Sequence, residues 1–170
     1  MIRVGFLINY NPKKWLGGFN VIKNITNSFK FLKKRKIDPF IIISNDFKKV
    51  YKNYNIPKNK FIFTDFFTNE TLFFRLYNKL SIIFFGKSDK YDNFLQKNNI
   101  SILSHGLYFG LGSKSNIKSI SWIPDFQHVY YPKNFTLKNR IAKYINTLIC
   151  SKTSSKVLLS SKDAEKDLKK

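Results

Sequence analysis

Residues 2–29 read IRVGFLINYNPKKWLGGFNVIKNITNSF, and this stretch decides the fold. The run from Arg3 to Ile8 is short and is apolar without a break from Val4 onward, as expected of a strand buried on both faces. A polar loop that contains a proline follows, and it leads into the pair Gly17-Gly18. Apolar residues then recur at helical spacing: Ile22, Ile25 and Phe29. The stretch is predicted to form a strand, a glycine turn and a helix.

The rest of the chain continues to alternate between strand-like and helix-like patterns. Further strands are predicted over residues 39–44, 60–64, 100–104, 118–123 and 156–160. Helices are predicted over about residues 69–84 and 89–97, along the face of Leu137, Ile141, Ile145 and Leu148, and after Ser161 as an N-cap. This alternation predicts an α/β fold with a Rossmann-like parallel sheet and helices on both faces, over a single domain of residues 1–170.

The charge balance suggests anionic ligands without specifying one. The 170 residues include 31 Lys+Arg and 10 Asp+Glu, for a formal net charge of +21. Such a field attracts nucleic acid, acidic lipid or phosphorylated metabolites. The joint abundance of Lys, Asn, Ile and Phe is also typical of an AT-rich genome, and we favour solvated surface lysines over a dedicated polyanion site. The lysines occur in nearly every segment, which argues against nucleic acid as the partner.

Cysteine content and hydropathy further restrict the class of protein to which the chain can belong. Cys150 is the only cysteine, so an internal disulfide and a cysteine-based zinc cluster are excluded, and its apolar neighbours indicate a buried, inert thiol. The N-terminus leads directly into a strand and shows no signal-peptide pattern. The most apolar stretch, residues 72–85, is interrupted by Arg75 and Lys79 and is shorter than the roughly 20 residues of a spanning helix. We expect a cytoplasmic protein.

Three loops at predicted strand ends carry the candidate site residues. In Trp15-Leu16-Gly17-Gly18 the glycines allow close approach of a ligand, and free amides at a helix start favour an anion, although an ordinary tight turn gives the same pattern. The second loop is Trp122-Ile123-Pro124-Asp125-Phe126-Gln127-His128. In it, Asp125 and Gln127 can form hydrogen bonds with a polyol, and His128 can hold or polarise an oxygen. His105 in Ser104-His105-Gly106 either lines the same cleft or caps a strand end. The spacing of acids and histidines predicts no metal site.

The aromatic stretch from Leu72 to Tyr77 allows two interpretations. As a surface helix it would touch a membrane or a lipid acceptor, with Arg75 and Lys79 on phosphates. Otherwise it would lie in the core, or it would pack on a partner domain. We favour the core interpretation from the sequence.

The segment that begins at Trp122 resembles one found in family 4 glycosyltransferases, which have the GT-B fold. The matching residues of the Trp-x-Pro-Asp-x-Gln-His segment are Trp122, Pro124, Asp125, Gln127 and His128. Further matches downstream are Pro132, Phe135, Arg140, Ser160, Ser161, Ala164 and Asp167, and Gly17-Gly18 corresponds to the family's N-terminal glycine loop.

The resemblance implies a retaining transfer of a sugar from a nucleotide-sugar to an acceptor hydroxyl, without an obligatory metal or other cofactor. It identifies the chain as the N-terminal, acceptor-side half of a GT-B enzyme. The donor-binding half of the family carries a Glu-x7-Glu motif, whereas the two glutamates here are Glu70 and Glu165, far apart. We therefore expect the donor-binding half on a separate chain or lost by truncation, and little turnover by this chain alone.

The resemblance also implies roles and partners. His128 and Asp125 would be catalytic, and Gly17, Gly18, Gln127, His105 and Trp122 would bind substrate. The partners would be a nucleotide-sugar, a glycan or lipid-linked acceptor of surface-polysaccharide assembly, a separate donor-binding half and the membrane surface. The alternative is a basic, non-catalytic protein that binds an anionic membrane or nucleic acid.

Overall fold

The computed structural model describes residues 1–31, 36–53, 57–68, 71–107 and 110–169. Its strands are β1 (Ile2–Ile8), β2 (Ile37–Ile43), β3 (Phe61–Phe63), β4 (Ile102–Leu107), β5 (Lys118–Ile123) and β6 (Lys156–Leu159). Its α-helices are α1 (Leu16–Ser28), α2 (Leu72–Phe85), α3 (Asp89–Lys97), α4 (Gln127–Tyr130), α5 (Leu137–Thr153) and α6 (Lys162–Lys169). Short 3-10 helices cover Phe29–Phe31, Asn45–Asn53, Lys58–Lys60 and Pro132–Asn134.

The strands form one parallel sheet in the order β3-β2-β1-β4-β5-β6. β1 lies at the centre and pairs with β2 along its whole length, from Ile2 opposite Ile37 to Ile8 opposite Ile43. The predicted α/β fold class, a Rossmann-like parallel sheet, is confirmed. The strand order reverses between β1 and β4, and doubly wound sheets bind their ligands at such a reversal.

Alternate residues of β1 supply two hydrophobic layers, one on each face of the sheet. Val4, Phe6 and Ile8 pack with Phe19 and Ile22 of α1. On the opposite face Leu7 belongs to a second cluster, whose other members come from β2, α2, α3, β4 and the loops on either side of β4: Ile42, Ile82, Tyr91, Leu95, Ile100, Leu103, Leu111 and Ile117. A strand buried on both faces needs an unbroken apolar run, and β1 has one.

Several predicted boundaries shift in the structure. The fourth strand covers Ile102–Leu107 rather than residues 100–104, and Ile100 is buried just before it. The second predicted helix begins at Leu72, after its N-cap Thr71, and residue 69, its predicted start, lies outside the described residues. The loop after β5 contains a helical turn, α4, that the sequence did not predict. The hydroxyl of Ser161 accepts a hydrogen bond from the Ala164 amide at 3.1 Å, as expected of the predicted N-cap.

The core interpretation of the aromatic helix is wrong. In α2 the side chains of Phe73 and Tyr77 are 73% and 61% exposed, whereas Asn78 and Ile82 are buried. The helix is apolar around most of its circumference but packs on the protein along a single narrow stripe, so most of its apolar side chains stay in solvent. Cys150 is fully buried, as predicted. None of the helices in the described ranges is long and apolar enough to cross a membrane.

Candidate functional site

An aromatic stack joins the loop after β1 to the end of β5. The indole of Trp15 stacks on the indole of Trp122 with ring centroids 5.3 Å apart. Tyr10 contacts Trp15 edge-on, with ring centroids 4.8 Å apart, and the indole N–H of Trp122 donates to the Ser160 hydroxyl at 3.0 Å. Trp122, predicted to bind substrate, is therefore a buried packing residue behind Trp15.

The two glycines of the turn have different surroundings. A Cβ on Gly18 would lie 2.3 Å from the ring of Trp15, so the missing side chain makes room for the indole. A Cβ on Gly17 would meet only Trp15 Nε1, at 3.9 Å, and Gly17 is exposed. Of the two predicted ligand contacts, only Gly17 has open space beside it.

His105 lies in the same stack, at an irregular point of β4. Its backbone has a φ of 62°, and the register with β5 shifts between Ser104 and Gly106. The ring lies between Phe6 and Trp122, and its Nδ1 is 2.7 Å from the Ser104 hydroxyl. Burial lowers the pKa of His105 to about 4, so the imidazole is neutral at pH 7. Among the described residues, none offers a hydrogen bond to its Nε2.

The residues after β5 point in different directions. The carboxylate of Asp125 accepts a hydrogen bond from the backbone N–H of Gln127 at 3.2 Å and so fixes the start of α4. The side chain of Gln127 is exposed. His128 is buried and lines a cavity of about 540 Å³ between α4, α5 and α6. Burial, and then the charge of Lys143, lowers the pKa of His128, while Asp125 opposes this shift.

The His128 cavity contains two polar atoms that lack partners. Neither His128 Nδ1 nor Thr147 Oγ1 has a hydrogen-bond partner in the described part of the chain, and both residues are more than nine-tenths buried. The surrounding side chains are mostly apolar or aromatic, including Phe126, Tyr144 and Leu168. The cavity can therefore hold an apolar or aromatic group.

A separate crevice of about 420 Å³ lies at the carboxyl ends of the central strands. Its walls come from the loops after β1, β2, β3 and β4 and from the inner sides of α2 and α5. This is the position at which doubly wound sheets bind ligands, beside the reversal of strand order. Helix α5 separates it from the His128 cavity, since Asn146 and Ile149 line the crevice whereas Tyr144 and Thr147 line the cavity.

Two cations on successive turns of α2 give the crevice its charge. Arg75 and Lys79 both line it, and Asp46 is the only carboxylate among its described lining residues. The ammonium of Lys79 donates to the Asn146 side-chain oxygen at 2.9 Å. Burial, and then the nearby charge of Arg75, lowers the pKa of Lys79. Two like charges held together at a partly buried position are stabilised by a bound anion.

The loop directly after β1 adds two polar groups to the crevice. Within the described ranges, neither Asn9 Oδ1 nor Tyr10 Oη has a hydrogen-bond partner, and both atoms are buried. Burial raises the pKa of the Tyr10 phenol, which therefore stays protonated and can donate. A buried polar atom without a partner costs about 1–3 kcal/mol, a cost that a hydroxyl-bearing ligand would remove.

Asp65 holds the loops after β2 and β3 together beneath the crevice. Its carboxylate accepts hydrogen bonds from the Ser44 hydroxyl at 2.6 Å and from the backbone and side-chain nitrogens of Asn45, both at 2.9 Å. These hydrogen bonds, the one from Ser44 first, lower the pKa of Asp65. Ser44 lines the crevice, so this network fixes one of its walls before any ligand binds.

The crevice contains none of the seven predicted site residues. Trp122, His105 and Gly18 meet in or beside the aromatic stack, His128 lines the cavity beyond α5, and Asp125, Gln127 and Gly17 lie outside both spaces. The crevice residues had two sequence signals. Asn9 and Tyr10 directly follow the central strand, and Arg75 and Lys79 are cations four residues apart in a helix whose other residues are mostly apolar.

No group of three or more His, Cys, Asp or Glu residues in the described ranges is arranged to hold a metal ion. Comparison with family models, with curated proteins and with solved structures finds no match to this chain.

Proposed function

We propose that the crevice binds the phosphate and sugar of a phosphorylated glycan, and that the chain is the acceptor-side domain of a nucleotide-sugar-dependent glycosyltransferase. The observation that carries the proposal is that Arg75 and Lys79 line the same crevice as Asn9 and Tyr10, at the reversal of strand order. The cations suit a phosphate, and the unpartnered amide oxygen and phenol suit sugar hydroxyls.

The proposed division of labour follows from this geometry. Arg75 and Lys79 would hold the phosphate, and Asn9 and Tyr10 would orient the sugar hydroxyls. In the transfer, the bond from the sugar's anomeric carbon to the departing nucleotide diphosphate breaks and a bond to an acceptor oxygen forms, with retention of configuration. The acceptor hydroxyl gives its proton to an oxygen of the departing diphosphate in this step. The crevice residues contribute binding and orientation to that reaction.

The sequence resemblance supports the transfer chemistry, and it gives His128 and Asp125 a place beside the donor. Both lie beyond the end of β5, and the cavity beside His128 is separated from the crevice by α5. Under this proposal a donor-binding half completes the enzyme, which acts on the cytoplasmic side of a membrane in the synthesis of surface polysaccharide or lipid-linked glycan.

The binding half of the proposal is tested by titrating the chain with glucose 1-phosphate, using glucose and inorganic phosphate as comparators. We expect glucose 1-phosphate to bind most tightly, because it engages both the cations and the sugar-facing groups. The double variant Arg75→Gln/Lys79→Gln should bind at least about tenfold more weakly, since charge-assisted hydrogen bonds contribute about 1.5–3 kcal/mol each.

The matched control is Lys97→Gln/Lys118→Gln, which removes the same charge from two exposed positions outside the crevice. It should leave the affinity within about twofold of the parent chain, because exposed charges are screened by salt. If glucose 1-phosphate does not bind, or if both double variants bind like the parent chain, the crevice is not the acceptor site.

A further inference from the structure

Helices α2 and α5 expose an unusual number of large apolar side chains. Eight on α2 are 43–75% exposed: Phe73, Phe74, Leu76, Tyr77, Leu80, Ile83, Phe84 and Phe85. Five on α5 are 45–67% exposed: Leu137, Ile141, Tyr144, Ile145 and Leu148. The α5 residues recur at intervals of three and four, so they form one continuous stripe along that helix. We call the two sets together the α2–α5 face.

The two stripes are adjacent to each other. The ammonium of Lys79 on α2 donates to Asn146 on α5, which fixes the helices side by side. Between them, Ile83 and Leu148 line the same shallow cavity of about 310 Å³. Monomeric soluble proteins seldom expose contiguous apolar patches larger than a few hundred Å², and larger patches mark interaction sites. The α2–α5 face is therefore expected to be covered in the working protein.

The charges on these helices indicate what covers the face. α2 carries Arg75 and Lys79, and α5 carries Lys138, Arg140, Lys143 and Lys152, while neither helix contains an aspartate or a glutamate. A second copy of the chain would bring two such cationic helix pairs together, which is unfavourable. A surface that is both anionic and apolar just below its charges complements the face, and an anionic lipid bilayer has these properties.

We propose that the α2–α5 face docks on the surface of an anionic lipid bilayer. The phenylalanines enter the boundary between headgroups and acyl chains, and the lysines and the arginine of α5 approach the lipid phosphates, while Arg75 and Lys79 stay in the crevice. This docking goes beyond the proposed glycosyl transfer and does not depend on it. Arg75, Lys79 and Asn146 also line the crevice, so a docked chain holds the crevice close to the bilayer.

The test is flotation of the purified chain with lipid vesicles. We expect the chain to bind vesicles of phosphatidylcholine that contain about 30% phosphatidylglycerol, and to bind pure phosphatidylcholine vesicles much more weakly. The variant Phe73→Ser/Phe84→Ser should bind the anionic vesicles at least about tenfold more weakly, because it lacks two apolar side chains that become buried in the bilayer on docking. Both residues are at least 73% exposed, so the fold should not change.

Phe31→Ser is the matched control, since Phe31 is 76% exposed but lies after α1, on the way to the start of β2. It should bind the anionic vesicles like the parent chain. The proposal is overturned if the parent chain does not float with anionic vesicles, or if Phe73→Ser/Phe84→Ser floats as well as Phe31→Ser. It is also overturned if the chain forms a dimer that Phe73→Ser/Phe84→Ser dissolves. Glucose 1-phosphate titration of the same variants reports separately on the crevice, so failure of one proposal is distinguishable from failure of the other.

Discussion

The indole of Trp15 stacks on the indole of Trp122, with ring centroids 5.3 Å apart and planes 21° from parallel. Trp15 belongs to the loop after β1, and Trp122 to the end of β5, two strands away in the sheet. The stack therefore connects the central strand to the outer part of the sheet at the carboxyl ends of the strands. It also fixes Tyr10, which packs on Trp15 and lines the crevice.

Substitution of the two glycines beside Trp15 should have different effects. Gly18→Ala places a methyl group 2.3 Å from the ring of Trp15, which also packs on Tyr10 and Trp122, so we expect a loss of about 1–3 kcal/mol in the free energy of unfolding. Gly17→Ala meets open space in the first turn of α1 and should be neutral or stabilise by up to about 1 kcal/mol. Urea unfolding followed by tryptophan fluorescence measures both. Equal losses for the two variants would contradict this account of the stack.

His105 should make the fold sensitive to acid. Burial lowers its pKa to about 4, against about 6.5 in the unfolded chain, so below pH 6.5 the unfolded state binds a proton that the folded state excludes. The contribution of His105 to the free energy of unfolding is complete above pH 6.5. It falls by about 3 kcal/mol as the pH drops to 4. His105→Asn removes the titrating group, and Asn tolerates the positive φ of 62°.

The measurement is the free energy of unfolding of the parent chain and of His105→Asn between pH 4 and pH 7. The parent chain should lose stability more steeply than the variant as the pH falls. An NMR titration of the imidazole checks the cause directly, and a pKa near 6.5 for His105 in the folded chain would refute the prediction.

The fold was predictable from the sequence because its signals are local. The apolar run of β1, the glycine turn and the helical spacing after it depend on neighbouring residues alone, and each of the six strands was predicted from such a pattern. The parallel sheet follows from their alternation with helices. Strand order and the exact ends of β4 depend on contacts between distant segments, which these patterns do not contain.

The site was less predictable for a physical reason. Sequence patterns identify polar residues at strand ends, but they do not say whether a side chain faces a crevice or fills space behind it. Trp122 and His105 proved to be packed in the aromatic stack, whereas Arg75 and Lys79 reach the crevice from a helix that we assigned to the core. The orientation of α2 about its axis decided this, and a helix that is apolar almost all round gives no clear prediction of it.

Asp65 should influence ligand binding without contacting the ligand. Asp65→Asn keeps the size of the side chain but replaces one accepting oxygen with an amino group that faces the donors of Ser44 or Asn45. We expect the wall of the crevice to loosen, with glucose 1-phosphate bound about three- to tenfold more weakly. Asp163→Asn is the comparison, since that carboxylate is 88% exposed and pairs only at the surface with Lys166. Equal affinities for Asp65→Asn and Asp163→Asn would show that the network does not shape the crevice.

His128 should matter for transfer and not for binding in the crevice. Helix α5 separates its cavity from Arg75 and Lys79, so His128→Ala should bind glucose 1-phosphate with the parent affinity. In a transfer assay with the donor-binding half supplied on a second chain, the same variant should lose activity, because the sequence resemblance places His128 beside the transferred sugar. Val129→Ala changes the next residue of α4, which is 58% exposed, and should retain both properties. If His128→Ala transfers sugar at the parent rate, His128 has no part in the reaction. If His128→Ala instead weakens binding in the crevice, the two spaces are coupled through α5. The separate roles proposed for the crevice and for the His128 cavity are then wrong.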